Sequence, residues 1–298
     1  MVIKRILMKL NSFRTLFSAV TVAIILNLAN IARPAAAATI SLMGLTDNNT
    51  LISFNPENPN QVKTVRVTGV DGMLIGIDMR SSDGLLYGIT DTNHIYVIDP
   101  TTGAATLKST LNLGFAGGEM SGVDFNPVPD RLRLVGDNDQ NYRSNVDTGM
   151  VADFDPKTDG LQTDRNLTYG EGDAHAGADP HITAVAYTNS FFGPPSPQDV
   201  TPPTRTTQLF GIDAELDVLV LQAPPNDGVL KTVGPLGVDF CETGGFDILS
   251  PKEGENIAFA ASDSMLYTVD LSNGSTTPLG TIGDGSVHIM GLTAAIAP

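Results

Sequence analysis

Tryptophan is absent from this 298-residue chain, cysteine occurs once, and charged residues make up only 17%. A lone Cys241 cannot form an internal disulfide, so stability must come from packing. Phosphate-binding Gly-Lys-Ser/Thr loops, Gly-x-Ser-x-Gly elbows and His-Glu-x-x-His pairs are also missing, which leaves no motif-based case for those chemistries. Bases are scarce: 17 Lys and Arg face 33 Asp and Glu, a formal charge of −16. Such a surface repels phosphate backbones and excludes nucleic acid as a partner. What is present is 41% hydrophobic residues, enough for a substantial core, together with 30 Gly and 19 Pro. That combination excludes wholesale disorder and favours short strands joined by many turns over long helices.

The few bases cluster where acids are missing. Residues 1–38 hold Lys4, Arg5, Lys9, Arg14 and Arg33 and no acid, with an apolar run around Leu16–Leu28 and the small-residue stretch Ala35–Ala38. This is the order of a secretory signal, with cleavage expected near Ala37 or Ala38. Asn27 and Asn30 interrupt the apolar run, which is short for a membrane span. The expected domain plan is a signal peptide over 1–38 and one domain over 39–298, exported to the periplasm or the outside of a bacterium. No transmembrane span is expected after cleavage. The mature chain carries 33 acids against 12 bases, a formal charge of −21.

Internal repeats organise the remainder. One unit runs Gly76-Ile77-Asp78, Leu85–Thr90, His94–Pro100 and then a Thr-containing tail, four short strands separated by turn residues. Gly122-Val123-Asp124 followed by Leu132–Gly136 starts the unit again, as does Gly245-Phe246-Asp247 followed by Ile257–Ala260 and Leu266–Asp270. Ala184–Tyr187 reaches Leu209–Ile212 only after a Pro-rich insertion at Pro194–Pro203. The last copy is divided: Leu42–Thr46 and Leu51–Phe54 read as second and third strands, and His288–Thr293 as an orphan first strand. Joining the two ends completes the sheet and closes a ring. The predicted fold is therefore an all-β propeller of five four-stranded blades. Second-strand anchors at Gly44, Gly88, Gly136, Gly211 and Ala260 give intervals of 44, 48, 75 and 49, and the long one leaves six blades as the alternative. An irregular excursion over about 155–180 accounts for the extra length without the paired apolar strands of a blade.

The motifs Gly122–Pro127, Asp130–Val135, Gln140–Gly149 and Ala186–Asn189 resemble the bacterial domain-of-unknown-function 4394 family, and Gly44-Leu45-Thr46 with Leu51 and Phe54 fits its opening repeat. The resemblance implies an exported, repeat-built β protein and supplies no catalytic residues.

Candidate chemistry is acidic. Asp78, Asp124 and Asp247 occupy equivalent positions, two residues after Gly on three first strands, where the other copies place Ala186 and Thr293. Since first strands line a propeller's channel, three carboxylates would converge and repel, which raises their pKa values or recruits calcium or another divalent cation, with Thr293 as a further ligand. The competing reading has each Asp capping its own blade's turn and pointing away from the axis. The turns after the second strands, together with Asp71, Glu119, Asp239, Glu242 and Asp284, predict one acidic, cation-attracting face, unless those acids simply serve their turns. Within Asp137–Asn141 the EF-hand pattern fails at Tyr142 and Thr148, leaving Asp137 and Asp139 as a looser calcium pair. Weaker metal candidates are Asp173, His175, Asp179 and His181, near Glu171, in the excursion. Arg143, with Asn141 and Asp147, is a candidate clamp for a carboxylate or phosphate; the alternative is an internal pair of Arg143 with Asp147 or Asp124.

Two functions fit. One is a monomeric binding or structural module that takes a small molecule or an envelope or extracellular partner on its acidic face. The other is a propeller hydrolase of glycosidase type using central carboxylates. The lack of Trp, with six Tyr and twelve Phe mostly falling in strand cores, argues against sugar platforms and ranks binding first.

Overall fold

Alternating apolar residues between turn signals produce 21 strands in the computed structural model, which describes residues 39–195 and 205–297. The expected signal peptide and most of the Pro-rich insertion lie outside the described residues. The first blade contributes β1 (Thr39–Thr46), β2 (Thr50–Asn55) and β3 (Asn58–Arg66), and the second β4 (Leu74–Met79), β5 (Leu86–Thr90), β6 (His94–Ile98) and β7 (Ala105–Thr110). The third has β8 (Ser121–Asn126), β9 (Arg131–Gly136), β10 (Asn141–Asn145) and β11 (Met150–Val151). The fourth comprises β12 (Thr168–Tyr169), β13 (Ile182–Tyr187), β14 (Leu209–Asp213), β15 (Val218–Gln222) and β16 (Val229–Pro235). Then come β17 (Gly244–Lys252), β18 (Glu255–Ser262), β19 (Met265–Val269) and β20 (Thr276–Thr281) in the fifth, and finally β21 (Ile289–Ala297).

The sheets resolve the blade count at five. β21 returns to the first blade as its innermost strand, antiparallel to β1 from Thr39↔Ala297 to Thr46↔Ile289, so the two ends of the propeller sequence close the ring as expected. The long interval holds no sixth blade. Its excursion instead supplies β12, a two-residue parallel edge on β16 that makes the fourth sheet five-stranded.

Five separate apolar cores lie between adjacent blades. Phe210 and Ile212 meet Phe246 and Ala258 between the fourth and fifth blades, and Tyr87 and Ile89 meet Phe125 and Leu132 between the second and third. Leu42, Ile52 and Phe54 meet Leu249 and Phe259 across the closure. Each blade is thus held by burial on both faces, the arrangement of a repeat ring. The Asp- and Asn-rich second turns stitch the blades together on one face. Asn49 takes a positive φ, accepts from the Leu74 N–H (2.8 Å) and donates to Gly72 O (2.9 Å); Asn93 accepts from the Phe115 N–H (2.7 Å).

The inner strands pack so tightly that the axis is closed along its middle. The throat between Gly76, Gly122, Gly245, Gly291 and their neighbours holds about 10 Å³, at or below the space one water needs. A Cβ on Gly245 would lie 2.6 Å from the Leu292 nitrogen, and one on Gly122 2.7 Å from the Val185 nitrogen. Because the obstruction is backbone, Gly245→Ala is expected to destabilise the protein by at least about 1–3 kcal/mol, read as a lowered melting temperature by circular dichroism. An unchanged melt would show that the inner strands can part.

Candidate functional site

Each first strand leaves the throat toward the face of the first and third turns, and there its last channel-facing side chain is the residue two after the recurring small residue of the repeat. On β4, β8 and β17 this is Asp78, Asp124 and Asp247, buried to 6%, 3% and 5% exposure. One carboxylate oxygen from each lies within 4.8 Å of the others, and no other group of three acid, His or Cys side chains converges in this way among the described residues. Thr293 on β21 is buried beside them and donates its hydroxyl to Asp78 (2.9 Å).

The same residues fasten the blades. Asp78 accepts from its own neighbour Met79 N (2.7 Å) and from Phe125 N on the next blade (2.8 Å). Asp124 accepts from Tyr187 N (3.2 Å), and Asp247 from Ile248 N (2.6 Å) and Ala294 N (2.5 Å). Thr293 completes the series, its Oγ1 accepting from Met79 N (3.2 Å). The expected alternative, capping of each Asp's own turn with the side chain pointing away from the axis, is therefore corrected. The inner strands approach so closely that each side chain reaches the following blade and still faces the axis. Ala186 has no polar side chain, so the clasp is missing between the fourth and fifth blades.

Burial is the first cause of the electrostatics here. It pushes Asp78 and Asp124 well above the usual carboxylate range, reinforced by the neighbouring acids, and Asp247 up to about 6. Asp124 has the fewest compensating bonds, one backbone N–H, and its Oδ2 has no hydrogen-bond partner among the described residues. The three carboxylates form the floor of a cavity of about 500 Å³, within the range of small-molecule sites. Its walls are mainly apolar and include Ile248, Leu249, Ile296, Phe191 and Phe192. The segment carrying the two Phe leaves the fourth blade and crosses to the second, where Gly193 N donates to Ser81 O (2.9 Å).

Other predicted site residues fall elsewhere. Arg80, at the cavity edge, is held charged by Asp130 (2.9 and 2.5 Å), Asp147 (3.0 Å) and Asp83 (3.0 Å) and donates to Tyr87 OH (3.1 Å). Asp147 is thus engaged by Arg80 and Lys108 (2.8 Å). Arg143 pairs with neither expected partner: it makes two 2.6 Å bonds to Asp164, which lies in the excursion and is also bound by the fully buried Arg133 (2.6 Å). Asn141 is buried between Arg133 (2.7 Å) and the carbonyls of Arg165 and Pro225. Arg143, Asn141 and Asp147 therefore form no common clamp.

Several of the acids expected to make a cation face are engaged locally. Asp71 accepts from Thr92 (2.9 Å) and Tyr96 (2.9 Å), and Asp137 from Met120 N (3.0 Å). The carboxylate cavity opens at the opposite end of the inner strands. Asp139 is not joined to Asp137 in a three-ligand site; burial and the charge of Asp179 raise it to about 6. Asp173 accepts from the Thr232 hydroxyl (2.6 Å) and N–H (2.7 Å), with His175 also on Thr232 (2.9 Å). These bonds dock the excursion on β16, while His181 donates its backbone N–H to Asp213 (3.2 Å). No metal cluster forms there among the described residues. No helix among them is long and apolar enough to cross a membrane.

Fold and site together define a five-bladed propeller with a carboxylate-floored cavity at one mouth of a closed channel. Residues 50–293 match DUF4394, described as a domain of unknown function, and the chain belongs to that family. No curated protein matches it. Among solved structures it is similar to a protein of unknown function from Bacteroides thetaiotaomicron, 18% identical with a TM-score of 0.43, covering 82% of this chain and 58% of that one. It is also similar to two proteins described as auxiliary nutrient binding proteins. The one from Bacteroides thetaiotaomicron is 16% identical with a TM-score of 0.39, and the one from Bacteroides ovatus 10% with 0.39. Each comparison covers 74% of this chain and 56% of the other, so this chain spans less than two thirds of their length.

Proposed function

We propose that the protein is a binding module whose mouth cavity holds a divalent cation, calcium first, on Asp78, Asp124 and Asp247, and takes a small molecule above it. The observation that carries this reading is the convergence of three buried carboxylates at the floor of an apolar-walled cavity. Calcium takes oxygen ligands at about 2.3–2.6 Å, so two oxygens on opposite sides of one ion lie roughly 4.6–5.2 Å apart, and three oxygens within 4.8 Å of one another suit a shared cation. A small molecule offering oxygen atoms toward the floor and an apolar body toward Phe191, Phe192 and Leu249 would complete the shell. The proposed setting is outside the cytoplasm, on the strength of the leader-like residues 1–38.

Titration calorimetry of chelator-stripped protein with calcium tests it. One saturable site is expected, with affinity lowered at least about tenfold in Asp124→Asn, the carboxylate with the fewest structural bonds. Stripped protein that binds neither calcium nor magnesium overturns the proposal.

A further inference from the structure

A second cavity, about 470 Å³, opens on the same end of the propeller between the third and fourth blades. Its polar lining among the described residues is Asn126, Arg143, Arg205, Thr206, Thr207 and Asn226, none of them a carboxylate. Several donors there are left over. Asn226 uses Oδ1 to accept from Arg133 (2.8 Å), and Asn126 uses Oδ1 to accept from Val128 N (3.0 Å). Neither side-chain NH₂ has an acceptor among the described residues. Arg143 binds Asp164 through Nε and Nη2, leaving Nη1 without a described partner.

The charges are also out of balance. Among the described residues Asp164 is the only carboxylate bonded to both Arg133 and Arg143, so this trio, buried but for a partly exposed Arg143, keeps one net positive charge. Arg205 is only 4% exposed, yet its one hydrogen bond among the described residues is a long one, Nη1 to Pro127 O (3.3 Å). Its guanidinium lies 3.8 Å from the centre of the Phe191 ring, and no carboxylate comes within ion-pair distance among the described residues. Burial lowers the Arg205 pKa, and the charge of Glu253 opposes this from a distance. A guanidinium has five N–H donors, and leaving a buried one largely unanswered is costly unless a ligand supplies the acceptors.

We infer that this groove binds an oxyanion group of a small molecule, a carboxylate, phosphate or sulfate, with Arg205 as its anchor and Arg143, Asn226 and Asn126 as supporting donors. Planar guanidinium forks suit such groups because they offer two parallel hydrogen bonds at once. The Phe191 ring lies between the two cavities, lining the central one and stacking on the anchor of the outer one.

The test titrates the purified protein with inorganic phosphate, sulfate and citrate at constant ionic strength, with chloride as the reference, following heat and melting temperature. At least one oxyanion is expected to bind saturably and raise the melting temperature where chloride does not. Arg205→Gln should weaken that binding at least about tenfold. Asn226→Asp keeps the acceptor used by Arg133 and places a negative charge in the groove; it should weaken binding by a similar factor while the circular dichroism spectrum is unchanged. The inference is overturned if no oxyanion differs from chloride, or if Asn226→Asp binds as tightly as the wild type.

Discussion

Removing residues 287–298 is expected to abolish the cooperative unfolding transition, not merely to lower it by a few degrees. The deletion takes away β21, the inner strand of the first blade, which pairs with β1 along eight registered positions. Ile289 and Leu292 leave the core between the first and fifth blades, where they are buried to 0% and 3% exposure, each contributing about 1.5–3 kcal/mol. Two inter-blade clasps go as well, Asp247 to Ala294 N and Thr293 to Met79 N. The ring then opens between the second and fifth blades, and β1 becomes an uncovered edge that can pair with another chain. Against a net stability of about 5–15 kcal/mol for a typical domain, losses on this scale leave no folded population to melt. Differential scanning calorimetry of the truncated protein checks it. Leu292→Ala, expected to cost about 2–5 kcal/mol, gives the graded comparison. A cooperative transition in the truncated protein near the wild-type temperature would mean that the ring does not depend on this strand.

Blade number, closure and the convergence of the carboxylates were legible because each is a property of position within a repeat. The Gly-x-Asp signature of Gly76–Asp78, Gly122–Asp124 and Gly245–Asp247 marks both the close approach of inner strands and the next channel-facing side chain, so equivalence in sequence became proximity in space. Hydrogen-bond direction was not legible, since it depends on how far apart two backbones sit. The clasp from Asp124 to Tyr187 N spans 63 residues and two blades. Features made by the non-repeating segments were also hidden. Asp164, the partner of Arg143, sits in an excursion without periodicity, and nothing around it distinguishes it from the other acids there. Arg205 follows the Pro-rich insertion in a Thr-rich run that resembles a linker; the only signal was a base isolated in an acidic chain. The turn residues were ambiguous: their abundance suggested a ligand face, whereas Asn49 and Asn93 stitch neighbouring blades and Asp137 holds Met120 N within its own blade.

Calcium is expected to raise the melting temperature strongly at about pH 8 and hardly at all near pH 4.5, because protons and the cation compete for the same three carboxylates. Without a cation, the folded-state pKa values of Asp78, Asp124 and Asp247 lie above those of an unfolded chain. Between about pH 4 and those raised values the folded protein holds more protons than the unfolded one, so this site's contribution to stability falls as pH rises. The loss is absent below about pH 4 and complete above the folded pKa values. Asp247 alone, moved from 3.8 to about 6, accounts for a loss on the order of 3 kcal/mol at alkaline pH. Calcium favours the ionised triad and so restores what deprotonation removes, by several degrees at roughly 2–4 °C per kcal/mol for a domain of this size. Carboxylates whose pKa is lowered, such as Asp147 beside Lys108 and Arg80, act at lower pH and in the opposite direction. Asp139, raised to about 6 by burial and Asp179, is common to wild type and variant. The difference between wild type and Asp124→Asn therefore isolates the triad. Melting curves from about pH 4.5 to 8, with chelator and with saturating calcium, should show a calcium response that grows with pH in the wild type and is nearly flat in Asp124→Asn. A response of equal size at both ends of the range, or one that the variant retains, would rule out a cation held by these carboxylates and leave them as inter-blade clasps alone.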